Sequence, residues 1–301
     1  MDKSAKRELK GTLLTLVAGC LWAFSGSCGQ YIFTYKEASS NWLVPIRLAI
    51  GGAVLVAILF AKHGKKALDI WHGKKNIRDA LIFAIFGMML CQYSYFTAIE
   101  HSNAGTATVL QYLCPAMIMI ITCVMAKRLP RKIEVLSVVL AIGGTALLAT
   151  HGDLSNLAIS PAALFWGLFS AVMLVMSTLP PTRIIAEFGA MSVTGWGMLI
   201  GGIVLLPVFR PWEIPVIFDL QCIIALAAII LATIVAYTLY LTGINMVGPG
   251  KASLLACIEP VMATIISAVW LKTPFAPMDF VGFVMIISTI FLLNMKKAEN
   301  D

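Results

Sequence analysis

The sequence predicts an all-α polytopic membrane protein, with ten transmembrane helices arranged as an inverted repeat of two five-helix halves. Three observations lead there. The 301 residues are 59% hydrophobic and only 12% charged, whereas a soluble domain carries roughly 25% charged residues. The apolar residues fall into ten runs, each close to the roughly 20 residues that cross a hydrocarbon layer, and the mean hydropathy is +0.89. Displacing the sequence by about 145 positions lays Ile99–Leu148 on Ile244–Leu293 without a gap, with roughly one residue in four identical.

The chain opens on a short basic segment, Met1 to Lys10. The apolar run that follows, 11–33, is too long for the apolar region of a signal peptide and reads as the first span. The further spans are 42–61, 80–99, 106–125 and 133–150 in the first half, residues 1–150. In the second half, residues 151–301, they are 161–179, 191–208, 222–241, 252–271 and 280–295. Nothing between them is long enough for a soluble domain.

Lys and Arg in short loops set orientation. With the N-terminus inside, the inner segments hold Lys3, Lys6, Arg7, Lys10, Lys62, Lys65, Lys66, Lys74, Lys75, Arg78, Lys127, Arg128, Arg131, Lys132, Arg183, Lys251, Lys296 and Lys297. The outer ones hold Lys36, Arg210 and Lys272. Both termini are therefore expected in the cytoplasm, with the chain in the plasma membrane. The net charge of +7 belongs to these loops and forms no folded basic face, so no nucleic acid is expected as partner. The seven cysteines are scattered through apolar runs with no CxxC pair, which points to packing. No metal and no cofactor are expected.

The displacement pairs Pro115 with Pro260, Gly105 with Gly250, Leu110 with Leu255 and Tyr95 with Tyr240. Slightly different shifts pair Trp22 with Trp166 and Gly51-Gly52 with Gly201-Gly202. Five spans per half send the second copy into the membrane from the opposite side. The paired glycines read as close helix packing.

Glu259 lies near mid-depth in the ninth span, before Pro260. A charge there costs about 3 kcal/mol on insertion scales, so it should face a cavity or a partner. It reads either as a seat for a cationic group or coupled proton, or as a carboxylate serving backbone freed by the proline. Pro115 and Pro260 each remove the helical bond to the carbonyl four residues earlier and are expected to kink spans four and nine. Span three presents Gln92 and Tyr95 on one face, and span eight presents Tyr237 and Tyr240. With Gln111, Trp22 and Trp166 they are expected to line one central pocket suited to a cation or an apolar side chain; the alternatives are interfacial anchoring for the tyrosines and packing for the tryptophans. Tyr93 and Tyr112 stay ambiguous. Arg47, near the outer end of span two, is expected to anchor at the interface by snorkelling, with gating as the other reading. Glu100 and His101 read as solvated end-caps.

The run Ala252-Ser253-Leu254-Leu255, then Ile258-Glu259-Pro260-Val261, Ala263 and Gly282, with a degenerate copy around Leu110 and Pro115, resembles the EamA-type branch of the drug/metabolite transporter superfamily. The resemblance spans nearly the whole chain. It implies a ten-helix basket with a central cavity and alternating access for amino acids, amines or other metabolites. It implies Glu259 and Pro260 as motif residues, Trp22 as the tryptophan of helix one and Arg47 as a basic residue of helix two. One departure stands out: where the family often carries a glycine and a glutamate after helices four and nine, this chain reads Ala126-Lys127-Arg128 and Leu271-Lys272-Thr273.

The expected function is therefore export of an amino acid or amine-containing solute, coupled to protons through Glu259, by a chain that can work as a monomer in the bilayer. Uptake of the same solutes is the alternative direction. A membrane receptor or scaffold would not need a polar-aromatic face in both halves. An intramembrane enzyme would need His, Asp or nucleophiles clustered at depth, and the four histidines lie in loops or at a span end.

Overall fold

The structure, a computed structural model, describes residues 3–125, 127–153, 158–178, 181–247, 252, 255–256 and 258–295. The described residues are all-helical. The basic residues Lys251, Lys296 and Lys297, and the expected motif positions Gly250, Ser253 and Leu254, lie outside them.

The first half contains α1 (Lys3–Tyr35), α2 (Ser40–His63), α3 (Lys74–Ile82), α4 (Cys91–His101), α5 (Ala104–Gln111), α6 (Cys114–Met125) and α7 (Lys132–Thr150). The second contains α8 (Pro161–Thr178), α9 (Thr182–Phe188), α10 (Ala190–Phe209), α11 (Leu220–Val247), α12 (Ile258–Val269) and α13 (Pro277–Met295). Six continuous helical stretches are long and apolar enough to cross a membrane: 5–35, 40–71, 74–101, 104–125, 190–209 and 220–244. Shorter apolar helices run over 161–177, 258–269 and 277–289. The chain is a multi-pass membrane protein.

Local chemistry sets several helix starts. The Asn103 side chain accepts from the Thr106 N–H (2.8 Å) ahead of α5. Ser160 accepts from Ala163 (3.1 Å) with Pro161 in the first helical position of α8, and Asp219 accepts from Cys222 (2.8 Å) ahead of α11. Each satisfies a backbone donor that the first turn leaves free.

Three local features depart from the expected plain spans. Span three is not uniform: a π-helical stretch, Phe83–Leu90, joins α3 to α4. Wider turns of this kind are rare and re-aim the residues beyond them, here Gln92 and Tyr95. Span four breaks at Tyr112–Leu113, just ahead of Pro115, where the Leu113 N–H turns back to the Leu110 carbonyl (3.2 Å). Three loops hold unexpected helices: 3-10 stretches at Gly64–Trp71 and Pro211–Glu213, and α9.

The main helix pairs are α1 with α11, α2 with α10, α7 with α13, α4 with α8, and α12 with both α1 and α5. Exchanging each helix for its displaced counterpart turns α1–α11 into α8–α4. It maps α2–α10 and α7–α13 onto themselves, and α1–α12 into α8–α6. The matched glycines lie in the α2–α10 crossing: a Cβ on Gly52 would meet the backbone of Leu199, and one on Gly202 that of Ala49. Gly144 and Gly282 do the same for α7 and α13, where each Cβ would lie 2.8 Å from the other's carbonyl oxygen. Without a hydrophobic drive between helices in lipid, such close approach supplies the packing.

Hydrogen bonds gather the Lys-poor loops at one end. Lys36 bonds Asp219 (2.7 Å) and Gln221 (2.9 Å), the Ser40 N–H bonds Glu100 (2.7 Å), and Ser160 bonds the His101 carbonyl (3.3 Å). Glu100 is thus a tie between loops, a correction to its reading as a solvated cap. The Lys-rich segments meet at the other end, where Arg183 bonds Asp79 (2.9 Å) and Asn76 (2.8 Å).

Candidate functional site

Glu259 occupies the first turn of α12, with Pro260 beside it, and both are buried. Proline is tolerated there because first-turn N–H groups have no helical partner. The break between α5 and α6 swings Tyr112 across to it. The Tyr112 hydroxyl lies 3.0 Å from Glu259 Oε2 and 3.0 Å from the Ala256 carbonyl. Among the described residues no Lys, Arg or His lies within ion-pair distance of Glu259. Tyr112, ambiguous in the sequence, thus holds the carboxylate. Its signal was its place beside Gln111, three residues before Pro115.

Arg47 does not snorkel. It is 3% exposed, and its guanidinium lies 4.3 Å from the centre of the Phe96 ring. Nη2 donates to Thr233 (2.9 Å), Nη1 donates to Gln92 (3.3 Å), and Nε has no partner. Seven residues into α2 places it about 10 Å from the helix start at 1.5 Å per residue. The helix turns it toward α4 and α11, and the side chain runs inward, so anchoring is overturned.

The aromatic residues join these two charges. Tyr95 shares a 2.7 Å hydrogen bond with Thr108 and lies against Gly26, where a Cβ would come within 2.7 Å of its oxygen. Trp22 meets Tyr237 edge-on at 5.3 Å and Tyr240 at 5.1 Å. On the same helix a Cβ at Gly19 would lie 3.6 Å from the Glu259 nitrogen, and Ser25 lies 3.4 Å from the Thr233 that holds Arg47. Helix α1 thus passes between Glu259 and the Arg47 group, with Trp22, Tyr237 and Tyr240 in mutual contact beside it.

Two further expected pocket residues have other partners. Trp166 packs against Tyr93 (5.6 Å), Phe165 and Phe169, and Tyr93 stacks on Phe209 and bonds Asn41. Among the described residues that group shares no ring contact with Trp22, Tyr237 or Tyr240. Gln111 is buried with its amide 3.9 Å from the Cys91 sulfur. Pro115 lies in the first turn of α6. A cavity of about 370 Å³ lies at the Lys-poor end among Trp42, Ile46, Leu206, Trp212 and Phe218. None of the expected site residues lines it.

Gln30, which the sequence reading passed over, fastens that end. Its carbonyl accepts from the Ala104 N–H (2.9 Å) and Ser267 (3.0 Å), and its amide donates to Thr273 (2.8 Å). One side chain ties α1 to α5, α12 and the segment after α12. The shift that pairs Trp22 with Trp166 pairs Gln30 with Leu174, whose side chain offers neither donor nor acceptor.

A model of the EamA-like transporter family matches residues 9–150 and again 161–295. Fold and matches define a membrane transporter, not an enzyme, which implies a small-molecule substrate. The chain belongs to the EamA-like transporter family, within the drug/metabolite transporter superfamily. It is 36% identical over 95% of both chains to a Salmonella typhimurium protein described as an uncharacterized inner membrane transporter, YicL. It is 24% identical to the Bacillus subtilis transporter YetK, over 85% of this chain and 78% of that one. A crystal structure with 17% identity superposes with a TM-score of 0.64 over 97% of this chain and 98% of the other; this likeness concerns the fold alone.

Proposed function

We propose that the protein exports amino acids or amine-bearing metabolites by alternating access, exchanging a proton at Glu259. Ten spans form two inverted repeats, residues 1–150 and 151–301, in the inner membrane with both termini cytoplasmic. The exchange of helix pairs under the sequence displacement supports the two-fold relation, and the gathering of Lys-poor loops at one end supports the orientation. The inner-membrane placement follows the description of the Salmonella relative.

The observation that carries the reading is Glu259: a buried carboxylate with a phenol donor and, among the described residues, no cation in ion-pair reach. An ammonium group and a proton compete naturally for such a site. Trp22, Tyr237 and Tyr240 offer aromatic faces to the rest of the solute. Rocking of the repeats then exposes the site to either end in turn. In this conformation Gln30 holds the Lys-poor end closed.

The test is flux of labelled amino acids and amines in proteoliposomes under an imposed pH gradient. Gradient-driven flux in the wild type, lost in Glu259→Gln, is expected. Equal gradient dependence in both proteins contradicts the coupling role.

A further inference from the structure

Arg47 and Glu259 are opposite charges buried in one helix core, yet they form no ion pair with each other. Glu259 is held by a phenol. Arg47 is held by an amide oxygen, a hydroxyl and a ring face, all formally neutral. A buried guanidinium with only neutral partners is costly, and such charges in a membrane protein pair with one another or mark a solute pathway. Among the described residues no carboxylate reaches Arg47, and its Nε–H is unspent. Nε and the adjacent Nη form the edge that grips a carboxylate with two parallel hydrogen bonds.

We infer that Arg47 is the carboxylate subsite, and that the transported solute is a zwitterion whose ammonium goes to Glu259 and whose carboxylate goes to Arg47. This rests on the proposed function and narrows it from amines in general to amino acids. Helix α1 lies along both groups: Gly19 faces the Glu259 backbone, Gly26 faces the Tyr95 hydroxyl, and Ser25 lies against the Thr233 that holds Arg47. Tyr95 and Tyr237 then flank the solute, and Trp22 covers its side chain beside Tyr237. In the solute-free state Thr233 and Gln92 hold the guanidinium in place. Thr233 is itself fixed, donating to the Ile229 carbonyl (2.8 Å) and lying 3.4 Å from the Ser25 hydroxyl.

The test is ligand-induced heat stabilisation of the purified full-length protein. The probes are the protein amino acids, each beside its decarboxylated amine and its deaminated acid. The variants are Arg47→Gln and the charge-preserving Arg47→Lys, both checked for folding by circular dichroism and gel filtration. At least one amino acid is expected to bind the wild type about tenfold or more tighter than its amine, the scale of a charged hydrogen bond. Arg47→Gln is expected to bind the two equally, with Arg47→Lys between. Amines that bind the wild type as tightly as the amino acids overturn the carboxylate subsite and leave the amine reading standing. Stabilisation by chloride alone, with amino acid and amine equal, overturns it in favour of a resident anion. Deaminated acids that bind as tightly as amino acids overturn the zwitterion and the Glu259 role together. No response to any probe overturns the proposed function and this inference with it.

Discussion

At the scale of single residues, Tyr112 decides how Glu259 is presented. Its hydroxyl is the donor on that carboxylate, and hydrogen bonds to charged groups contribute about 1.5–3 kcal/mol. Tyr112→Phe should therefore raise the half-saturating solute concentration about tenfold in a flux assay while leaving folding intact; an unchanged value would remove Tyr112 from the site. The two tryptophans should separate in the same assay. Trp22→Ala should weaken solute affinity, because Trp22 lies on Tyr237 and Tyr240. Trp166→Ala should lower heat stability with affinity kept within about twofold, because Trp166 packs among Tyr93, Phe165 and Phe169. Equal losses of affinity would contradict that division. Glu259 and Pro260 were legible in the sequence because a carboxylate inside an apolar run has few explanations. Arg47 was misread because depth along a helix is countable, whereas which neighbour its face meets depends on packing. Tyr112 stayed ambiguous because its direction is set by the break at residues 112–113, not by helical spacing.

At the scale of elements, the glycine crossings and the ties at the Lys-poor end do different work. The α2–α10 crossing has no room for a side chain at Gly52 or Gly202, so Gly52→Val should lower heat stability by several degrees. The matched Gly-Gly pairs made this crossing legible. The π-helical stretch Phe83–Leu90 was not, because its apolar sequence, FAIFGMML, fits an ordinary span equally well. Gln30 was invisible for a similar reason: a lone amide in a span gives no hint of three partners on three segments. Gln30→Leu copies its displaced counterpart Leu174 and should free the Lys-poor end. In a cysteine-free background carrying Ser25→Cys, an impermeant maleimide added at that end should then react about a hundredfold faster, the loss of three hydrogen bonds of about 1 kcal/mol each; an unchanged rate would exclude Gln30 as the tie. The Lys36–Asp219 pair should contribute no pH dependence to transport. The Asp219 carboxylate holds the Lys36 ammonium above its usual range, and Lys36, with the Cys222 N–H, holds Asp219 below its own. Asp219 loses its contribution only as pH falls through that lowered value, and Lys36 only as pH rises through its raised one. Between about pH 4 and about pH 10 both stay charged, so Asp219→Asn should leave the shape of the pH profile from pH 5 to 8 unaltered.

At the scale of the whole molecule, hydropathy and the displacement of about 145 residues carried the all-helical, duplicated frame, because a bilayer leaves a spanning chain few ways to satisfy its backbone. The family matches at 9–150 and 161–295 fall one in each expected half. The proposed site is written less plainly, since its side chains come from α1, α2, α4, α11 and α12 and meet only after folding. The halves are alike in frame and unequal in charge: Glu259 aligns with Cys114 and Arg47 with Gly197. The account's central claim is that the halves rock about this buried cluster, and paired spin labels test it most directly. One pair, at Glu37 and Lys272, spans the halves at the Lys-poor end. The other, at Leu129 and Ala186, spans them at the basic end. Adding a transported solute to the protein in lipid should lengthen one distance while shortening the other. Transport with both distances unchanged, or with both moving in the same direction, would contradict the account.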